Sequence, residues 1–141
     1  MEYNVNKYIE MLTLENQKQN LISRKNTAYE INKHIEDSLK IKDILDLTGE
    51  KLVDIGSGAG FPGMIIAMAC PQAGITLVES DRKKSQFLED VSRELALTNV
   101  EVICARVEEL GQDNRYRGSF SLCSSRAVAS MNLLLEYGLP L

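Results

Sequence analysis

With 141 residues, 44% hydrophobic and 26% charged, the chain has the size and composition of one soluble globular domain, which excludes a collagenous, low-complexity or disordered polymer. No apolar run is long enough to span a membrane, and the N-terminus MEYNVNKYIEM lacks the plan of a signal peptide, so a cytoplasmic protein is expected. Sixteen basic residues against twenty acidic ones give a net charge of -4 spread along the whole chain, so any nucleic-acid contact must come from local clusters.

Residues 1–47 read as helical. Val5, Ile9 and Leu12 keep an i, i+4, i+7 spacing, and Ile31, Ile35 and Leu39 repeat it, with a polar break between the two stretches. Gly49 is expected to terminate the helical part as a C′ residue. From residue 51 short apolar runs alternate with helical ones. KLVDI (51–55) is a strand, a glycine loop follows, and PGMIIAMAC (62–70) is a helix. ITLVE (75–79) is a second strand, after which Asp81 caps a helix whose Phe87, Leu88, Val91 and Leu95 form one stripe. VEVIC (100–104) and SFSLCS (119–124) are a third and a fourth strand, and SMNLLLEY (130–137) is a last helical segment. Such alternation predicts a parallel sheet covered by helices. The far edge of the fourth strand is expected to be bare, or covered by self-association. Three cysteines, Cys70, Cys104 and Cys123, lie far apart with no C-x-x-C, which suggests buried reduced thiols and neither a zinc site nor a disulfide frame.

The glycine loop fits two frames. Gly58, Gly60 and Gly63 spell the dinucleotide fingerprint G-x-G-x-x-G. Asp54, Gly56, Gly58 and Gly60 spell D-x-G-x-G-x-G, the first motif of methyltransferases that use S-adenosylmethionine. A pyrophosphate wants free N–H groups at the helix start, where Pro62 offers none. S-adenosylmethionine has no phosphate and carries a sulfonium and an amino group, which favour the carboxylate of Asp54. Glu79, ending the second strand, is an acceptor for both ribose hydroxyls in either frame. The methyltransferase frame is the better fit, with an NAD-linked oxidoreductase and a purely structural tight turn as the competing readings.

KHIEDSL (33–39), VDIGSGAGFPG (53–63), LVESDRKKSQFLEDVSRELALTNVEVICARVEEL (77–110) and SSRAVASMNLLLEYGLPL (124–141) together resemble the RsmG (GidB) family. Its members are bacterial 16S rRNA methyltransferases that make 7-methylguanosine. The resemblance implies a Rossmann-like class I S-adenosylmethionine-dependent methyltransferase fold, α/β, with a parallel sheet and helices on both faces. It also implies an N-terminal helical extension over residues 1–50 and a partial methyltransferase domain over 51–141, truncated at its C-terminal end so that the family's last strands are missing. The implied partner is 16S rRNA or the small ribosomal subunit, the target guanine 527 in rRNA numbering, with no metal and no membrane. A truncated fragment that at most binds S-adenosylmethionine is the alternative.

Residue by residue, the resemblance gives Gly56 and Phe61 to S-adenosylmethionine, Glu79 to its ribose, and Val107 and Glu108 to its adenine. Arg126 is assigned to the cofactor and substrate pocket, and His34 and Asp37 match the family's H-x-x-D as candidate catalytic residues. Plainer readings stand beside these. His34 can be a satisfied core or capping histidine, Asp37 can pair with Lys33 or Lys40, and Glu108 can be a solvated turn. Arg126 is expected just after the fourth strand, at the strand ends where open α/β sheets bind ligands. Arg82, Lys83 and Lys84, with Arg24, Lys25, Arg115 and Arg117, are surface charge or phosphate contacts. Guanine N7 is a lone-pair nucleophile with no proton to remove, so no strong general base is needed. In keeping with this, SLCSSR lacks the [DN]-P-P-[YF] of amino-group methyltransferases, and Cys123 lacks the Pro-Cys setting of enzymes that attack cytosine.

Overall fold

The computed structural model describes residues 1–22, 25, 27–106, 108–109, 120–127 and 130–134, with the backbone alone for 125–127 and 130–134. The elements in chain order are α1 (Glu2–Glu15), α2 (Thr27–Ile44), β1 (Lys51–Ile55), α3 (Gly63–Ala69), β2 (Gly74–Glu79), α4 (Arg82–Glu94), β3 (Val100–Cys104), β4 (Leu122–Ala127) and β5 (Ser130–Leu134). The strands form one sheet in the order β3-β2-β1-β4-β5. The first four are parallel, and β5 runs antiparallel to β4.

Strand periodicity divides the core in two. Leu52, Ile75, Leu77 and Leu122 point to the face that carries the helices, where they meet Tyr8 and Leu12 of α1, Ile31 and Ile35 of α2, Met64 and Ile65 of α3, and Phe87, Leu88 and Val91 of α4. The helical extension therefore shares its core with the sheet. On the opposite face Val53, Val78, Phe120 and Cys123 form a smaller cluster, and no helical residue among those described joins it. Asp81 caps α4 as expected, its carboxylate accepting from the Lys83 and Lys84 N–H groups. Asn99, just before β3, is tied to the end of α3 and the entry to β2, its side-chain amide donating to the carbonyls of Ala67, Cys70 and Ala73.

Four expectations are corrected. Residues 130–134 are a strand, not a helix. Ser130, Met131, Asn132 and Leu133 alternate polar with apolar, and the strand pairs the far side of β4, which was expected to be bare. The fourth strand runs from 122 to 127 and not from 119 to 124, so Arg126 lies within it. Gly49 has the left-handed φ of +75° but lies well past the end of α2, in a turn where its N–H donates to the Gln72 carbonyl. Of the three thiols only Cys123 is buried; Cys70 is half-buried, and Cys104 is exposed at the end of the edge strand β3. Burial pushes the Cys123 thiol above its ordinary range and the negative charge of Asp54 pushes it further, which suits a packing thiol and not a nucleophile.

The sheet order changes direction at β1, which is flanked by β2 on one side and β4 on the other. In open α/β sheets the carboxyl ends of such strands are where ligands bind, and the glycine loop leaves β1 at that end.

Candidate functional site

The loop from Gly56 to Gly63 is held in place through its backbone N–H groups. The N–H groups of Gly56 and Ser57 both donate to the Val78 carbonyl, at 2.8 and 3.2 Å, which locks the end of β1 to β2. The Gly58 N–H donates to Glu79 Oε1 at 3.0 Å, the Gly60 N–H to the Ser57 carbonyl at 2.7 Å, and the Gly63 N–H to Asp54 Oδ2 at 3.1 Å. Ser57 turns its hydroxyl back onto the Asp54 carbonyl at 2.9 Å. All three glycines of the dinucleotide frame thus spend their N–H groups within the protein.

The glycines divide by role. Gly56 and Gly58 adopt left-handed φ values of +69° and +52°, and a Cβ at Gly56 would meet nothing within 4 Å. At Gly58 it would meet only the Gly56 carbonyl oxygen, at 3.8 Å. These two present bare backbone to open space. Gly63 is the opposite: a Cβ there would lie 2.4 Å from Leu77 Cδ2 and 2.8 Å from Asp54 Oδ2, so it is needed for α3 to pack on the sheet.

Both acids at the strand ends are held in place. Asp54 is fully buried, its Oδ2 on Gly63 and its Oδ1 accepting from the Ser124 hydroxyl at 3.0 Å. The carboxylate thereby couples β1, β4 and the first turn of α3. Glu79, 7% exposed, takes the Gly58 N–H on Oε1 and the Asp81 N–H on Oε2 at 2.7 Å. Those two bonds fix the carboxylate in one orientation and leave lone pairs on both oxygens for further donors.

The side chain of Phe61 is fully buried, which leaves the backbone of the loop to face a ligand at this position. It lies between two rings. His34 of α2 stacks on it with ring centroids 5.1 Å apart, and Tyr8 of α1 meets it at 5.6 Å, tilted by 55°. His34 is therefore brought to the loop through Phe61, while its Nε2 lies 3.7 Å from Glu30. Asp37 pairs with Lys40 at 3.8 Å along the same helix, in agreement with the plainer reading. Arg126 is one residue beyond the Ile55–Ser125 register pair, at the same end of the sheet as the glycine loop. Glu108 is exposed in a short helical turn. Val107, Arg24, Arg115 and Arg117 lie outside the described residues.

Tyr8 was missed by sequence reasoning. It is fully buried, and its hydroxyl donates to the carbonyl of Ala59 in the middle of the loop, 51 residues away. Its position between Val5 and Leu12 on the apolar stripe was visible, but not the partner of its polar tip. Tyr8→Phe keeps the ring against Phe61 and strands the Ala59 carbonyl. We expect urea unfolding to show a loss of about 1–2 kcal/mol at unchanged m-value; no loss would mean that the hydroxyl does not brace the loop.

The family model described as rRNA small subunit methyltransferase G matches residues 1–141. The ribosomal RNA small subunit methyltransferase G of Syntrophomonas wolfei is 51% identical over 141 residues, covering 100% of this chain and 65% of that protein. Its counterpart from Fusobacterium nucleatum is 44% identical over 134 residues, 95% of this chain and 57% of that protein. The chain thus spans less than two thirds of the length of these curated relatives. Among solved structures, a variant of MtNAS in complex with S-adenosylmethionine superimposes with a TM-score of 0.60 at 18% identity, over 92% of this chain and 50% of that one. A SAM-dependent methyltransferase from Aquifex aeolicus gives 0.51 at 19% identity, over 63% and 47%. These last two speak for the fold alone: a Rossmann-like class I α/β sheet.

Proposed function

The chain belongs to the rRNA small subunit methyltransferase G family, and from that premise we propose that its glycine loop holds S-adenosylmethionine and that the protein methylates N7 of a guanine in 16S rRNA. The observation that carries the cofactor half is the state of the loop's own donors. The N–H groups of Gly58, Gly60 and Gly63 are all engaged inside the protein, and Pro62 has none, so the anion cradle that a dinucleotide pyrophosphate requires is spent. The bare backbone at Gly56 and Gly58, beside a fixed carboxylate, suits a cationic amino-acid head and a ribose instead.

In this reading Gly56 and Gly58 let the ligand approach the backbone, and Glu79 accepts from the two ribose hydroxyls. Val107 and Glu108 flank the adenine. S-adenosylmethionine supplies an electrophilic methyl carbon on its sulfonium. The protein's residues need only align N7 with that carbon and exclude water, because N7 offers its lone pair without losing a proton. Arg126 donates to guanine O6, which orients the Hoogsteen edge with N7 toward the methyl carbon. His34 acts at one remove, by holding Phe61 and the loop; Asp37 steadies α2 with Lys40. Asp54 is a positioning residue.

The test combines calorimetric titration with S-adenosylhomocysteine, NAD as control, and methyl transfer to small-subunit RNA lacking the modification. We expect binding of the first ligand alone, and 7-methylguanosine at one position in the RNA. Arg126→Ala is expected to lower transfer at least about 100-fold with little change in S-adenosylhomocysteine affinity, a loss on the scale of one transition-state donor. Full methylation by that variant would remove Arg126 from the guanine. Binding without transfer would assign the chain the narrower task of holding the cofactor.

A further inference from the structure

The first turn of α4 is charged against its own dipole. Its opening residues Arg82, Lys83 and Lys84 are cations, whereas Glu89, Asp90 and Glu94 lie in its later turns, where Arg93 is the one cation and pairs with Asp90. A helix N-terminus carries partial positive charge, so this order is the unfavourable one, and the cap by Asp81 only partly offsets it. Arg82 and Lys83 are exposed, Lys84 is half-buried, and the ion pairs found among the described residues all lie elsewhere. Three adjacent cations placed where they weaken a helix serve something other than the helix.

A second segment adds to them. The Gln19 side-chain amide donates to the Lys83 carbonyl at 3.3 Å and to Glu15 Oε2 at 3.0 Å, which seats the connection between α1 and α2 on the start of α4. Exposed Lys18 is its neighbour in that connection. The patch begins beside the candidate pocket, since the Asp81 N–H is bonded to Glu79. Successive residues of a helix point about 100° apart, so Arg82, Lys83 and Lys84 cannot converge on a single anion. They fan out, which suits charges repeated along a backbone.

We propose that Lys18, Arg82, Lys83 and Lys84 form the surface on which the sugar–phosphate backbone of the RNA substrate docks, next to the cofactor pocket. The inference rests on the methyltransferase reading and adds where the RNA lies. A chain with a net charge of -4 repels a polyanion as a whole, so attraction must be concentrated in such a patch. Phosphate contacts of this kind position the RNA without reading its sequence.

The experiment measures binding of a labelled, unmodified 16S rRNA transcript by fluorescence anisotropy over a salt series from about 50 to 300 mM. It compares the wild type, Arg82→Gln/Lys83→Gln, and a control of equal charge change, Lys7→Gln/Lys42→Gln, whose lysines lie on α1 and α2. S-adenosylhomocysteine titration runs in parallel. We expect the patch variant to bind RNA roughly 10-fold more weakly and to lose about 1.5 from the slope of log K against log salt, with cofactor affinity and the control unchanged. Equal RNA binding by patch variant and control would overturn the proposal. So would absence of RNA binding by the wild type: if S-adenosylhomocysteine still binds, the cofactor reading stands without this surface, and if it does not, both fall. A defect seen only with assembled subunits, and not with the protein-free transcript, would overturn RNA in favour of a ribosomal protein.

Discussion

Gly63→Ala is expected to destabilise the protein by roughly 3 kcal/mol and to lower its melting temperature by roughly 10 °C. The added methyl would sit 2.4 Å from Leu77 Cδ2, 2.8 Å from Asp54 Oδ2 and 3.1 Å from Asp54 Cβ. Leu77 is fully buried in the centre of the sheet, and Asp54 is fully buried beneath the helix, so neither can swing aside into solvent. To accept the methyl, α3 must lift from the sheet. That stretches the bond from the Gly63 N–H to Asp54 Oδ2, and a buried carboxylate short of a donor costs more than the contact alone. Thermal unfolding followed by circular dichroism measures the effect. A shift of less than about 2 °C would mean that α3 rides higher over Leu77 than the geometry gives, and that the third glycine is dispensable.

Glu79→Gln acts on the ligand more than on the fold. The carboxylate of Glu79 faces two N–H groups, those of Gly58 and Asp81, with one oxygen each. An amide has a single oxygen. Its NH2 must then face one of those donors, so the side chain rotates or the loop withdraws. The negative charge that would strengthen bonds to two ribose hydroxyls is lost as well. We expect S-adenosylhomocysteine affinity to fall about 100-fold, equivalent to about 2.7 kcal/mol, with a melting temperature within a few degrees of the wild type. Calorimetry decides it. Unchanged affinity would take Glu79 out of the pocket and leave it as a brace between β2 and the loop.

How far these features were legible depends on how local their causes are. The loop, the acids at 54 and 79, the Asp81 cap and the stripe on α4 rest on short spacings, so the sequence displays them directly. The distinction between Gly56 and Gly63 was hidden, because whether a Cβ has room depends on Leu77 and Asp54 arriving from the sheet. What Asp54 binds within the fold was hidden for the same reason. Its partners, Gly63 and Ser124, are nine and 70 residues away. Phe61 came to the cofactor by resemblance alone, and its packing against Tyr8 and His34 was hidden because those rings arrive from two helices far along the chain. The strand at 130–134 reads as helix in sequence because Leu133 and Leu134 sit in an apolar run, whereas tertiary pairing along β4 sets its conformation. Arg126 follows from that shift, since β4 extends three residues beyond the predicted strand end.

The bond from Tyr8 to Ala59 makes the two ends of this arrangement answerable to each other. Free energy exchanged between two sites is reciprocal, so whatever holds the glycine loop in its closed turn also holds α1 against the sheet, and by the same factor. A molecule that occupied the loop would therefore report on the first helix without touching it. Loosening that helix would be felt in turn as weaker occupancy, through a single phenolic proton.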